Sequence, residues 1–247
     1  MQMLEVIRHI PILTTVLAVI FGTAVFRRYW ARRSSPYLFW WAIGIYIYGV
    51  GTLTEGLTTL FGWDEVVFRA WYISGALLGG APLATGSAYF HLSRRTANVL
   101  TALVVSYIVV ASCFVILTPI DMSLVEEHHL SGKVMEWSWV RLFSPIVNLY
   151  AVTFLIGGAA MSAWRARRDA TGHGRAWGNA LIAFGALLPG IGGTFTRLGY
   201  TEVLYVMEII GLTLIWRGYL LCIRPVRPAV PEAVPVGAQI GALTPER

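Results

Sequence analysis

Long apolar runs separated by short polar segments divide this chain of 247 residues. A helix that crosses a bilayer needs about 20 consecutive, mostly apolar residues. Seven segments meet that requirement, and we number them as spans 1 to 7: residues 10–26, 36–62, 65–92, 97–119, 140–163, 177–196 and 202–223. The pattern therefore predicts an all-α integral membrane protein with seven transmembrane helices.

The two ends of the chain are predicted to differ in kind. Span 1 is followed by the cluster RRYWARR (27–33) without a small-residue cleavage site before it, so we expect a retained helix rather than a signal peptide. Proline-rich sequence without periodicity follows span 7, which predicts a disordered cytoplasmic tail. The expected organisation is a transmembrane domain over 1–224 and a tail over 225–247.

Charge alternates between successive loops. Arginines follow spans 1, 3, 5 and 7, whereas the intervening loops hold Asp64, Asp121, Glu126, Glu127 and Glu136. An excess of arginine and lysine marks the cytoplasmic side of a membrane protein. The loops therefore predict an outer N-terminus and an inner C-terminus, in a multi-pass protein of the cell (plasma or inner) membrane.

Composition supports the membrane assignment. Hydrophobic residues make up 56% of the chain and charged residues 13%, against about 25% charged residues in soluble domains. The net charge of +6 is explained by the loop arginines, so the sequence does not predict nucleic-acid binding.

Two octets indicate an internal repeat. FGWDEVVF (61–68) and LGYTEVLY (198–205) share a glycine, a glutamate and a valine, and each joins the end of one span to the start of the next. WARR (30–33) and RARR (165–168) match at nearly the same offset. Spans 1–3 are therefore predicted to form a parallel copy of spans 5–7, with span 4 as the connector.

This 3+1+3 layout resembles that of sugar-efflux and opsin-type seven-helix proteins. The whole chain is also similar to seven-helix membrane proteins of high-GC bacteria, a likeness that implies no function. Opsins hold retinal through a lysine in their last span, but the sole lysine here is Lys133, in an outer loop. The resemblance is therefore one of layout, and no cofactor is predicted.

Charged residues inside the spans are the main candidates for chemistry. Glu55, Arg69, Arg197 and Glu208 all fall in the predicted outer half of the bilayer, where an unpaired charge costs at least about 2.5–3.5 kcal/mol. We expect the acids to pair with the arginines inside the bundle. Polar residues on the same helix faces complete the predicted ligand-binding set: Glu55, Arg69, Tyr72, Asn148, Arg197, Tyr205 and Glu208.

Span 6 carries the segment PGIGG (189–193) at the predicted depth of Glu55. Proline removes a helical hydrogen bond and glycine weakens a helix, so we expect a broken helix there. Transporters often place a binding site beside such a break. The alternative is a structural kink that ion pairs hold closed.

The favoured function is binding of a small polar or ionisable ligand from the extracytoplasmic side, with carriage across the membrane as its use. The alternatives are an accessory or assembly subunit of a larger membrane complex and a sensor that acts through a partner. The expected partners are the lipid bilayer, a small ligand, and either another membrane protein or a second copy. The chain has no HExxH, GxSxG or P-loop motif, which disfavours an enzyme, although buried carboxylates keep that possibility open.

Overall fold

The computed structural model of the protein describes residues 7–168 and 173–223. Within them, seven helices are long and apolar enough to cross a membrane: α1 Ile10–Ala31, α2 Pro36–Phe61, α3 Glu65–His91, α4 Arg94–Leu117, α5 Ser138–Arg167, α6 His173–Arg197 and α7 Thr201–Ile223. The predicted all-helical architecture with seven helices able to span a membrane is confirmed. The orientation and the 3+1+3 repeat stay predictions, and the predicted tail lies outside the described residues.

Local sequence signals fix several helix ends. The Asp64 carboxylate accepts a hydrogen bond from the Val67 amide at 3.0 Å and so caps the start of α3. Pro36 stands in the first turn of α2, where no amide hydrogen is needed. Gly62 ends α2 with a φ of 91°, a left-handed conformation that favours glycine.

Two helices contain an internal π-helical segment. In α3 it covers Tyr72–Leu77, and in α5 it covers Val152–Gly157. A π segment widens the helical turn and changes the direction of the side chains that follow, and such segments are frequent at functional sites. The segment in α3 begins directly after Trp71, a residue of the candidate site.

Glycines set the close packing of α6 on α7. Gly178, Gly185 and Gly192 recur every seventh residue and therefore share one face of α6. A Cβ atom on Gly185 would lie 2.6 Å from the carbonyl oxygen of Gly211, and one on Gly178 would lie 2.7 Å from that of Gly218. Small residues of this kind let two membrane helices approach at the backbone.

The expected break in span 6 is wrong, because α6 continues as an α-helix through PGIGG (189–193) with Pro189 inside it. The glycines do not loosen this segment in the way the sequence suggested. Gly192 packs against α7, where an added Cβ would lie 2.8 Å from the Cα atom of Leu204. Packing against a neighbouring helix allows a transmembrane helix to tolerate proline and glycine.

The bundle has two chemically different ends. The acidic end carries Asp64, Asp121 and Glu126, and the arginine end carries Arg28, Arg94 and Arg165. The connection between α4 and α5 covers the acidic end, with Leu130, Val134 and Met135 buried against Phe68 and Tyr72 of α3. This connection packs over the end of the bundle that holds the candidate site.

Candidate functional site

The site is centred on the carboxyl group of Glu55, which is buried in α2 with 6% of the residue exposed. Its Oε1 atom accepts a hydrogen bond from the indole Nε1–H of Trp71 at 2.9 Å. Trp71 occupies the last turn of α3 before the π segment. The tryptophan thereby supplies one neutral donor to a carboxyl group at membrane depth.

A second buried acid lies beside the first. Glu208 of α7 is 8% exposed, and its carboxyl group lies next to the Glu55 carboxyl group. In the part of the chain that the structure describes, the Oε2 atoms of both residues are buried without an N–H or O–H partner. The pair therefore has two buried acceptor atoms, and no described residue donates to either.

Hydroxyl groups connect the acid pair to the surrounding helices. Thr59 donates its hydroxyl hydrogen to the backbone carbonyl of Glu55 at 2.8 Å. Tyr205 lies 3.0 Å from the same Thr59 oxygen, and because the threonine has only one hydrogen, Tyr205 is the donor. Tyr48 donates to the backbone carbonyl of Glu208 at 3.2 Å. These bonds hold the acid-bearing turns of α2 and α7 together.

A small cavity of about 10 Å³ adjoins Glu55 and extends towards the acidic end, with Thr58, His128, Thr201 and Tyr205 among its lining residues. That volume suits about one water molecule. His128 of the covering connection donates from Nδ1 to the carbonyl of Thr58 at 3.3 Å. The cavity is lined by both polar and apolar side chains and has no room for an organic molecule.

The expected pairing of Glu55 with Arg69 is wrong. Arg69 instead donates from Nε and Nη2 to the Glu65 carboxylate, at 2.9 and 2.6 Å. It also donates to the backbone carbonyls of Val115 and Thr118, at the end of α4. A helix C-terminus leaves carbonyl groups without partners and favours a cation, and Glu65 lies one turn away on the same helix. The Arg69 guanidinium therefore pairs with these local partners and not with Glu55.

The remaining predicted residues are distributed as follows. Tyr205 lines the cavity beside Glu55, and Tyr72 is buried nearby in α3 and accepts a bond from the Ser144 hydroxyl at 3.2 Å. Asn148 is exposed on the surface of α5 and does not line the cavity. The side chain of Arg197 lies outside the described part of the structure. The structure thus brings together Glu55, Glu208 and Tyr205.

The sequence analysis did not single out Trp71. A signal for its role was available. Glu55 and Trp71 lie at equal distances in sequence from Trp63, in the turn between α2 and α3. Two helices that run antiparallel from a tight turn bring such positions to the same level.

The chain matches no protein-family model and no curated protein. Function must therefore be argued from the chemistry of the site.

Proposed function

We propose that this multi-pass membrane protein takes up a proton from the outer side on the Glu55–Glu208 pair and uses it to drive carriage of a solute. What supports the proposal is the pair itself: two carboxyl groups side by side, buried, with no arginine, lysine or histidine paired to either among the described residues. The ionisable ligand expected from the sequence is thereby narrowed to a proton.

The proton follows from the cost of the alternative. Two adjacent carboxylates at membrane depth would add mutual repulsion to the desolvation of each charge. One proton shared between the carboxyl groups removes one charge and satisfies an acceptor on each residue. Trp71 already donates to Glu55, so Glu55 keeps the negative charge and Glu208 carries the proton.

The small cavity supports a proton as the ion and the acidic end as its route. It extends from Glu55 towards the acidic end of the bundle, which the loop arginines predict to be the outer side. A water molecule beside the polar groups of Thr58, His128 and Tyr205 can pass a proton to the carboxyl pair, whereas an organic ligand does not fit. Among the described residues, the groups that face the pair are Trp71, Tyr48 and Tyr205, which are hydrogen-bond donors, and His128 lines the same cavity as Glu55.

The carrier is favoured over a purely structural subunit for a physical reason. An acid pair at this depth lowers stability, and a subunit that only packs against partners has no need for it. The exposed apolar faces of the bundle, such as Leu103, Val109 and Leu117 of α4, suit lipid contact as well as protein contact. These faces therefore do not favour the subunit.

The proposal is tested by thermal unfolding in detergent over a range of pH. A folded state that binds a proton is stabilised by mass action at low pH, and this contribution is lost as the pH rises. The unfolding temperature of the wild type should fall at high pH, and Glu208→Gln should flatten that fall. Glu202→Gln removes an exposed carboxylate of the same helix and serves as the control.

Two results would contradict the proposal. Glu208→Gln could destabilise the protein equally at every pH, which would indicate a permanent ion pair with a cation. Alternatively, the wild type could be stabilised by sodium at constant pH and show no dependence on pH, which would make the ligand a metal cation.

A further inference from the structure

A second cavity, of about 560 Å³, lies among six helices near the arginine end and shares no lining residue with the cavity beside Glu55. Its inner wall is apolar and includes Phe21, Ile45, Leu83, Leu155 and Ile182. The volume falls within the range of about 300–1,000 Å³ that is typical of small-molecule sites. The sequence analysis gave no indication of this cavity.

The mouth of the cavity is positively charged. Arg28, Arg32 and Arg175 line it, and no aspartate or glutamate is found among the lining residues. Within the described part of the chain, none of the three arginines forms an ion pair with a carboxylate. Arg28 and Arg32 both lie close enough to Tyr219 to act on it electrostatically. Three arginines thus line one cavity without an acidic partner among the described residues.

His91 forms a fixed part of the cavity wall. Its Nδ1 lies 2.8 Å from the carbonyl oxygen of Ser87, which can only accept, so the ring donates from Nδ1. Its Nε2 lies 2.8 Å from the Ser162 hydroxyl oxygen, within hydrogen-bond distance. With both nitrogens occupied by α3 and α5, the ring leaves recognition of a charged group to the arginines.

We infer that this cavity binds an anionic amphiphile, with one acyl chain or a ring system of similar size against the apolar wall and a carboxylate or phosphate head among Arg28, Arg32 and Arg175. Guanidinium groups match the geometry of both anions with paired hydrogen bonds. A neutral or cationic head would leave the arginines without a partner. The inference does not depend on the proton site.

The test uses the protein in phosphatidylcholine nanodiscs with three probes of equal chain length: dodecyl phosphate, dodecanoate and dodecyl maltoside. One readout is the unfolding temperature. The other is the rate at which N-ethylmaleimide alkylates Cys222, which lines the cavity. The anionic probes should raise the temperature and slow the alkylation, and the maltoside should do neither. The stronger anionic probe distinguishes a phospholipid-type head from a fatty-acid head.

Matched variants connect the response to the cavity. Replacing both Arg28 and Arg175 with glutamine should weaken the anionic probe by about tenfold or more, as expected for lost charge-assisted bonds. Arg94→Gln removes an exposed arginine that does not line the cavity and should have no effect. Ala159→Phe should fill the cavity and abolish protection of Cys222, whereas Met161→Phe, on the exposed face of α5, should not.

The inference is overturned if dodecyl maltoside protects Cys222 as well as dodecyl phosphate does. It is also overturned if the arginine double variant binds the anionic probes like the wild type. Cys113, exposed on α4, is the internal control, and its alkylation rate should not respond to any probe. If Ala159→Phe fails to fold, the arginine variants still decide the outcome.

Discussion

The packing of α6 on α7 allows a stability prediction whose size follows from the structure. Gly185→Ala places a Cβ atom 2.6 Å from the carbonyl oxygen of Gly211 and 3.0 Å from the side chains of Leu214 and Ile215. The nearest atom belongs to the backbone and cannot rotate away. Overpacking of this kind costs about 1–3 kcal/mol.

Helix propensity acts in the opposite direction and has to be separated from the clash. Replacing glycine with alanine inside a helix gains about 1 kcal/mol. Gly190 lies on the same helix and has no atom within 4 Å of an added Cβ, so Gly190→Ala receives only this gain. The difference between the two variants therefore isolates the packing cost, and we expect it to be about 1–3 kcal/mol.

The assay is equilibrium unfolding of both variants in mixed micelles with increasing SDS, with helical circular dichroism as the readout. Gly185→Ala should unfold at a lower SDS fraction than the wild type, and Gly190→Ala at an equal or higher one. Equal midpoints for the two variants would refute the conclusion that α6 and α7 meet at the backbone along this glycine face.

Two further predictions concern Arg69 and the orientation. Arg69→Met should lower the free energy of unfolding by about 2 kcal/mol, because the carbonyls of Val115 and Thr118 lose a charged donor. Glu65→Gln removes only the half-exposed ion pair and should cost less than about 1 kcal/mol; an equal loss in both variants would place the effect in the ion pair. A tag inserted between Glu126 and Gly132 should be labelled from outside intact cells, and a reporter after Arg227 should be cytoplasmic. The reverse labelling would contradict the orientation drawn from the loop arginines.

The seven helices could be predicted because their signal is local. A membrane span can be recognised from a long apolar run, and residues such as the N-cap Asp64 and the first-turn Pro36 mark where helices begin. Glu55 and Glu208 stood out for the same reason, since a carboxylate within an apolar run can be seen without a structure. Their burial together in the bundle agrees with this part of the analysis.

The partners of the buried acids could not be derived in that way. Arg69 lies at a similar predicted depth to Glu55, but depth alone does not decide which neighbour a guanidinium reaches. The spacing of Glu65 and Arg69, four residues apart on one helix, was a stronger signal than shared depth. The carbonyls at the end of α4 come from a distant part of the chain, and only the tertiary packing brings them to Arg69.

The segment PGIGG shows a second limit of the sequence. A glycine such as Gly192 can either loosen a helix or let a neighbouring helix approach, and the sequence looks the same in both cases. Only the position of α7 distinguishes the two roles. The large cavity is also invisible in the sequence, because six helices each contribute a few ordinary apolar residues to it. Such features depend on how the faces of different helices pack together, and no single stretch of sequence encodes them.

The central claim is that Glu208 and Glu55 share a proton inside the bundle, and infrared difference spectroscopy in nanodiscs tests it most directly. The carbonyl stretch of a protonated carboxyl group should be present in the wild type at neutral pH and shift in D₂O. The band should disappear in Glu208→Gln and persist in Glu202→Gln. A wild type without this band, or a band that survives in Glu208→Gln, would contradict the account.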